Sequence, residues 1–212
     1  MQTLHHHQQK PVIILIHEIY GINDHMETTI QYFERAGFEV YCPQLLGQIK
    51  PFDRDSEDDA YRYFMTEVGF DRSVDTVLQL ARELKAKDKS IRLFALGFSV
   101  GATVAWLCSR YDGLFTGIIG LYGSRIRDYM TISPKCETLL FFPTIENAFK
   151  PLEIVEVLEK KKGVRVKMVE GRHGFANPYS EAFKAPSKDR SFQEMSEFIK
   201  GQLNKVRSAE RI

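Results

Sequence analysis

The sequence predicts an α/β fold: a single domain built on one mostly parallel sheet, with helices on both faces and no large cap domain. Three observations predict it. Short apolar runs recur along the chain, and each is followed by a longer segment with helical period. The runs are apolar at successive positions rather than at alternate ones, as expected of strands covered on both faces. Finally, 212 residues with no internal repeat suit one large domain with a substantial core.

Val12–Ile16 is the first run, continuous and rich in β-branched residues. A helix over residues 24–36 follows, with Asp24 as its cap and Gly37 as its stop. The second strand covers residues 38–41 and ends before Pro43. The acidic stretch 53–59 reads as a solvated loop or a helix start. Val74, Val77, Leu78, Ala81 and Leu84 then recur at helical spacing. The third strand is expected at 91–96, a helix at 100–110, and the fourth strand at 117–122. The fifth strand falls at 138–142, a helix at 151–162 ends at Gly163, and Val164–Val169 forms the sixth strand. Phe192, Met195, Ile199 and Leu203 make the stripe of a last helix. The domain is therefore placed at residues 11–206, between an N-terminal tail (1–10) and a C-terminal tail (207–212).

Composition narrows the function. Apolar residues make up 43% and charged residues 27%, the balance of a globular protein. The net charge of +1 gives no reason to expect nucleic acid or an anionic membrane as partner. No apolar run approaches the length of a membrane span, and none precedes Pro11, so neither a membrane anchor nor a signal peptide is expected. Cys42, Cys108 and Cys136 are odd in number and lack metal-binding spacing, which predicts a reducing, cytoplasmic setting. His5, His6 and His7 read as a solvated tail rather than a metal site. The partner expected is a small molecule, bound by a monomer or homodimer.

In parallel α/β sheets the chemistry gathers beyond the carboxyl ends of the strands. The third strand there delivers Gly97-Phe98-Ser99-Val100-Gly101, a G-x-S-x-G pattern between strand and helix. Such a turn can hold a serine out as nucleophile, while the N–H of the next residue, Val100, opens the helix and can donate to an oxyanion. A serine hydroxyl needs a base. His173 stands after the last strand, between Gly171 and Gly174, in the chain order serine, acid, histidine. The acid is expected at the end of the fifth strand, where Glu146 and Asn147 are adjacent; Glu146 is preferred because it brings charge, and Asn147 is the alternative. Asp128, within Arg-Ile-Arg-Asp, reads as an ion-pair partner. The first strand delivers His17-Glu18-Ile19-Tyr20-Gly21. Ile19 N–H is the second expected oxyanion donor, and Glu18 is a carboxylate beside the nucleophile. H-E-x-x-H zinc ligation fails because position 21 is Gly, so no metal is expected. Tyr20, Phe98, Tyr122 and Phe175 are expected, with Glu18, around the substrate pocket.

His-Glu-Ile-Tyr-Gly at 17–21, Gly-Phe-Ser-Val-Gly at 97–101, Leu-Tyr-Gly at 121–123 and His-Gly-Phe at 173–175 together resemble the dienelactone hydrolase family, a compact branch of the α/β-hydrolase fold. The resemblance runs from about Pro11 to Leu203. It implies hydrolysis of a small ester or lactone without metal or cofactor, with Ser99 as nucleophile, His173 as base, Glu18 after the first strand, and the N–H groups of Ile19 and Val100 as donors. The sequence departs from the best-known members in three respects. Their nucleophile is cysteine; their acid, an aspartate, falls at Asn147, beside Glu146; and their substrate-binding arginine falls near Asn177. The reading is thus a serine esterase working through an acyl-enzyme. Its alternatives are a non-catalytic small-ligand-binding member of the fold, or a thioesterase or acyltransferase.

Overall fold

The computed structural model describes residues 10–47 and 50–209. The histidines at 5–7 and residues 210–212 of the expected tails lie outside the described residues. Six strands, β1 (Val12–Ile16), β2 (Glu39–Tyr41), β3 (Leu93–Phe98), β4 (Gly117–Leu121), β5 (Thr138–Pro143) and β6 (Val164–Val169), form one sheet in the order β2-β1-β3-β4-β5-β6. Every neighbouring pair is parallel. Among the described residues six α-helices accompany them: α1 (Asp24–Arg35), α2 (Glu57–Tyr63), α3 (Gly69–Lys87), α4 (Val100–Cys108), α5 (Pro151–Leu158) and α6 (Ala185–Ala209).

The period-two geometry of β1 explains its unbroken apolar run. Val12, Ile14 and Ile16 point to the side of α2, α3 and α4, where they pack with Phe64, Val74, Val77 and Val104. Ile13 and Leu15 point the other way and meet Met26 and Phe33 of α1 and Phe192, Met195 and Ile199 of α6. All five are buried, and each contributes about 2 kcal/mol of apolar burial. The sheet is therefore covered on both faces, as the continuous runs predicted. α4 is buried along its whole length, consistent with a helix apolar on every side. No helix among the described residues is long and apolar enough to cross a membrane.

Several boundaries differ from expectation for local reasons. Asn23, not Asp24, caps α1: its side chain accepts a hydrogen bond from the Met26 N–H (3.3 Å), and Asp24 sits in the first turn, where its charge favours the helix dipole. β3 is shifted toward its carboxyl end and reaches Phe98. The stretch before it is a turn in which Asp88 accepts from the Ser90 N–H and the Ile91 N–H bonds back to the Asp88 carbonyl. The acidic stretch becomes a 3₁₀ turn (Arg54–Ser56) leading into α2, which a π-helical turn (Phe64–Val68) joins to α3. α5 ends at Leu158, four residues early, and α6 runs to Ala209.

The strand order places the site. β2 lies on one side of β1 and β3 to β6 on the other, so the connections diverge at β1 and β3. The crevice of such a sheet opens at that divergence. Ile16 pairs with Gly97 there, which sets the turn after β1 beside the turn after β3.

Candidate active site

The turn after β3 is tight enough to exclude side chains. A Cβ at Gly97 would lie 2.1 Å from the Gly101 carbonyl oxygen, and one at Gly101 would lie 2.2 Å from the Ile16 carbonyl oxygen. Between them Ser99 adopts φ 53°, ψ −119°, a strained conformation for a residue with a Cβ. It is held by its N–H donating to the Leu121 carbonyl (3.0 Å) and by its own carbonyl accepting from the Ala102 and Thr103 N–H groups (3.0 and 3.2 Å). Val100 is the first residue of α4, so its N–H has no helical acceptor and points from the positive end of the helix.

The other half of the site comes from β5 and β6, whose ends are joined. Thr144 N–H donates to the Val169 carbonyl (2.8 Å), Ile145 N–H to the Gly171 carbonyl (3.0 Å), and Gly171 N–H to Thr144 Oγ1 (3.2 Å). These bonds bring Glu146 against the loop that carries His173. Glu146 Oε1 lies 2.8 Å from His173 Nδ1, and His173 Nε2 lies 2.9 Å from Ser99 Oγ. A proton on Nδ1 is donated to the carboxylate, which leaves Nε2 to accept from the serine hydroxyl. The Glu146 side chain is only 7% exposed, whereas Asn147 is an exposed residue. Of the two candidates it is therefore the glutamate that meets the ring. Asp128 sits 2.7 Å from Arg125, away from this chain of contacts.

Glu18 is 4% exposed. Its Oε1 accepts from the Tyr122 hydroxyl (3.1 Å); its Oε2 accepts from Asn177 Nδ2 (3.0 Å) and lies 3.4 Å from His25 Nδ1. Burial pushes its pKa up, but His25, the nearby His173 and the Tyr122 hydrogen bond outweigh that and hold it below the usual carboxylate range. Glu18 is thus an anion inside the protein. His17 is structural: Nδ1 donates to the Glu18 carbonyl (2.6 Å) and Nε2 accepts from the Leu45 N–H (2.9 Å), a neutral imidazole whose pKa burial lowers. The pair braces the turn that carries Ile19 beside the start of α4. Among the described residues no group of three or more His, Cys, Asp or Glu side chains is placed to hold a metal ion.

The expected pocket residues divide. Tyr20 is part-exposed and faces the 51–57 segment, and its own carbonyl accepts from the Phe52 N–H (2.9 Å). Its hydroxyl pKa is pushed up to about 12 by burial, by Glu57 and by Glu18. Phe98, Tyr122 and Phe175, in contrast, have no exposed surface. They are corrected from pocket wall to supporting core. Tyr122 packs its ring on Phe98 (6.0 Å between centroids) and Phe175 (5.3 Å) and lies 5.0 Å from the ring of His173. Strand-end position alone does not distinguish an aromatic facing the cleft from one lying beneath it. Two residues that the sequence did not assign, His25 and Asn177, complete the surroundings of Glu18. For His25 a signal existed: it lies on the buried face of α1 with Met26, Thr29 and Phe33.

The sequence model of the dienelactone hydrolase family matches residues 2–203. The uncharacterized protein YczH of Bacillus subtilis (strain 168) is 36% identical over 176 residues, which cover 82% of this chain and 85% of YczH. A carboxymethylenebutenolidase of Pseudomonas putida is 23% identical over 190 residues, covering 82% of this chain and 79% of that enzyme. Among solved structures, the dienelactone hydrolase-like promiscuous phosphotriesterase P91 from metagenomic libraries superposes with a TM-score of 0.72. At 18% identity, that match covers 91% of this chain and 87% of P91 and shows the shared α/β-hydrolase fold.

Proposed function

We propose, from the premise that the chain belongs to the dienelactone hydrolase family and is a hydrolase acting on ester bonds, that it cleaves a small ester or lactone through an acyl-enzyme on Ser99. The observation that carries this reading is the continuous hydrogen-bonded chain from Glu146 through His173 to Ser99, at 2.8 and 2.9 Å.

In the first half-reaction Ser99 Oγ attacks the acyl carbonyl while His173 Nε2 takes its proton. The negative charge that develops on the carbonyl oxygen is met by the N–H groups of Ile19 and Val100. One such donor is worth about 3 kcal/mol of transition-state stabilisation. The C–O bond to the leaving alcohol then breaks, and the imidazolium returns its proton to that oxygen. In the second half-reaction His173 removes a proton from water, the hydroxide attacks the acyl-serine, and collapse releases the acid and restores the Ser99 hydroxyl. Glu146 fixes the tautomer of His173 and stabilises the imidazolium formed twice per turnover. Glutamate serves here in place of aspartate because the joined ends of β5 and β6 bring its longer side chain within bonding distance of the ring.

The experiment is hydrolysis of p-nitrophenyl acetate by the wild type, Glu146→Gln and Asn147→Ala. Glu146→Gln should lower kcat by a factor of roughly 10² to 10⁴, because the amide can present an N–H to Nδ1 and favour the wrong tautomer. Asn147→Ala should stay within about two-fold of wild type. The reverse ranking would transfer the orienting role to Asn147.

A further inference from the structure

We propose that this site selects substrates by charge, turning over neutral and cationic esters in preference to matched esters that carry a negative charge. The inference rests on the ester-hydrolase reading above and names the substrate class of the same site.

The observation that carries it is the set of partners around Glu18. Its carboxylate is buried, and its partners there are a phenol (Tyr122), an amide (Asn177) and an imidazole (His25). None of these is an arginine or a lysine, and the partner among them that can carry positive charge is the His25 imidazole, 3.4 Å away. The ring of Tyr122, whose hydroxyl donates to Glu18, also lies 5.0 Å from the His173 ring, so the buried charge sits one side chain away from the reacting imidazole. Glu146, with its side chain 7% exposed, is bonded to Nδ1 of the same imidazole. His173 therefore has one shielded carboxylate in contact and a second one side chain away. A third, Glu57, lies against the Tyr20 hydroxyl at the rim.

The opposing cations are placed differently. Arg54 lies over the exposed ring of Tyr179, 5.0 Å from its centroid, at the rim rather than within the site. Lys184 is drawn to Glu170 (2.6 Å), and Arg172, next to His173, is solvent-exposed. Solvent and salt screen such surface charges strongly and buried ones far less. Unequal screening thus decides the sign: an incoming substrate experiences the shielded carboxylates of Glu18 and Glu146 more than the rim, where the part-exposed Arg54 and the exposed Glu57 act on the same Tyr20 hydroxyl in opposite directions. A carboxylate on the substrate would lose hydration without gaining a counter-ion, and that cost is not repaid. A trimethylammonium group would meet a favourable field and an aromatic rim.

The test uses three acetate esters of para-substituted phenols, with carboxylate, carboxamide or trimethylammonium as the substituent. Release of the phenol is followed by absorbance, and each kcat/KM is divided by the ester's alkaline hydrolysis rate to remove leaving-group differences. The carboxylate ester should fall about ten-fold or more below the carboxamide, and the trimethylammonium ester should equal or exceed it. Glu57→Gln should raise the carboxylate ester about two- to three-fold and leave the carboxamide within two-fold. Turnover of the carboxylate ester equal to or faster than the carboxamide would overturn charge selection while leaving the hydrolase reading intact. Failure of all three esters with folded protein would overturn both.

Discussion

Ser99→Ala should lower kcat/KM for p-nitrophenyl acetate by about 10⁴-fold or more while leaving the protein folded. The two halves of that expectation have separate physical grounds. Removing the hydroxyl removes the atom that forms the covalent bond, and only positioning and oxyanion stabilisation remain. The fold should survive because alanine keeps the Cβ. Position 99 already carries the strain of a side chain at φ 53°, and the substitution neither adds to nor relieves it. The backbone bonds that hold the turn, from the Ser99 N–H to Leu121 and from Ala102 and Thr103 to the Ser99 carbonyl, involve no side-chain atom. His173 Nε2 loses a partner, but that side chain is 37% exposed and water can replace the bond. Thermal unfolding should therefore shift by only a few degrees. Equal turnover by Ser99→Ala and wild type would remove Ser99 from the chemistry.

Gly101→Ala should destabilise the fold strongly. The added methyl would lie 2.2 Å from the Ile16 carbonyl oxygen, 2.6 Å from the His17 carbonyl oxygen and 2.8 Å from the Ile16 carbonyl carbon. All three are backbone atoms at the end of β1, an interior strand paired on both sides, so no rotamer change relieves the overlap. Ordinary overpacking costs about 1–3 kcal/mol, and a backbone collision exceeds it; about 4 kcal/mol or more is expected. That is a large share of the ~5–15 kcal/mol that holds a typical domain together. At roughly 2–4 °C per kcal/mol for this size, Tm should fall by about 10 °C, or the protein should be recovered only in aggregates. Gly201→Ala is the control. Its Cβ would meet nothing within 4 Å in the middle of α6, and it should match or slightly exceed wild type in stability. A Gly101→Ala protein as stable as wild type would mean that the turn after β3 is not packed against β1 as described.

Much of this was legible in the sequence because it depended on short-range pattern. Continuous apolar runs separated by helical stripes announced parallel strands covered on both faces, and the two glycines around Ser99 announced a turn too tight for side chains. Chain order and strand-end position were enough to single out His173 and to rank Glu146 with its neighbour. What could not be read depended on contacts between distant segments. Glu18 meets partners 7, 104 and 159 residues away, and no local pattern links it to His25, Tyr122 and Asn177 together. The burial of Phe98, Tyr122 and Phe175 is likewise a matter of which layer each ring enters, and a strand end offers both. The shift of β3 and the cap at Asn23 were lost to single polar side chains, Asp88 and Asn23, whose hydrogen bonds outweighed apolar periodicity.

Reaction with a fluorophosphonate, followed by intact-protein and peptide mass spectrometry, tests the central claim most directly. Such a probe modifies a serine only when a neighbouring base and an oxyanion site activate it. The account predicts one phosphonyl group per chain, located on Ser99, and little or none when His173 is replaced by alanine. A folded wild-type protein that takes up no label, or carries it on a residue other than Ser99, would contradict it.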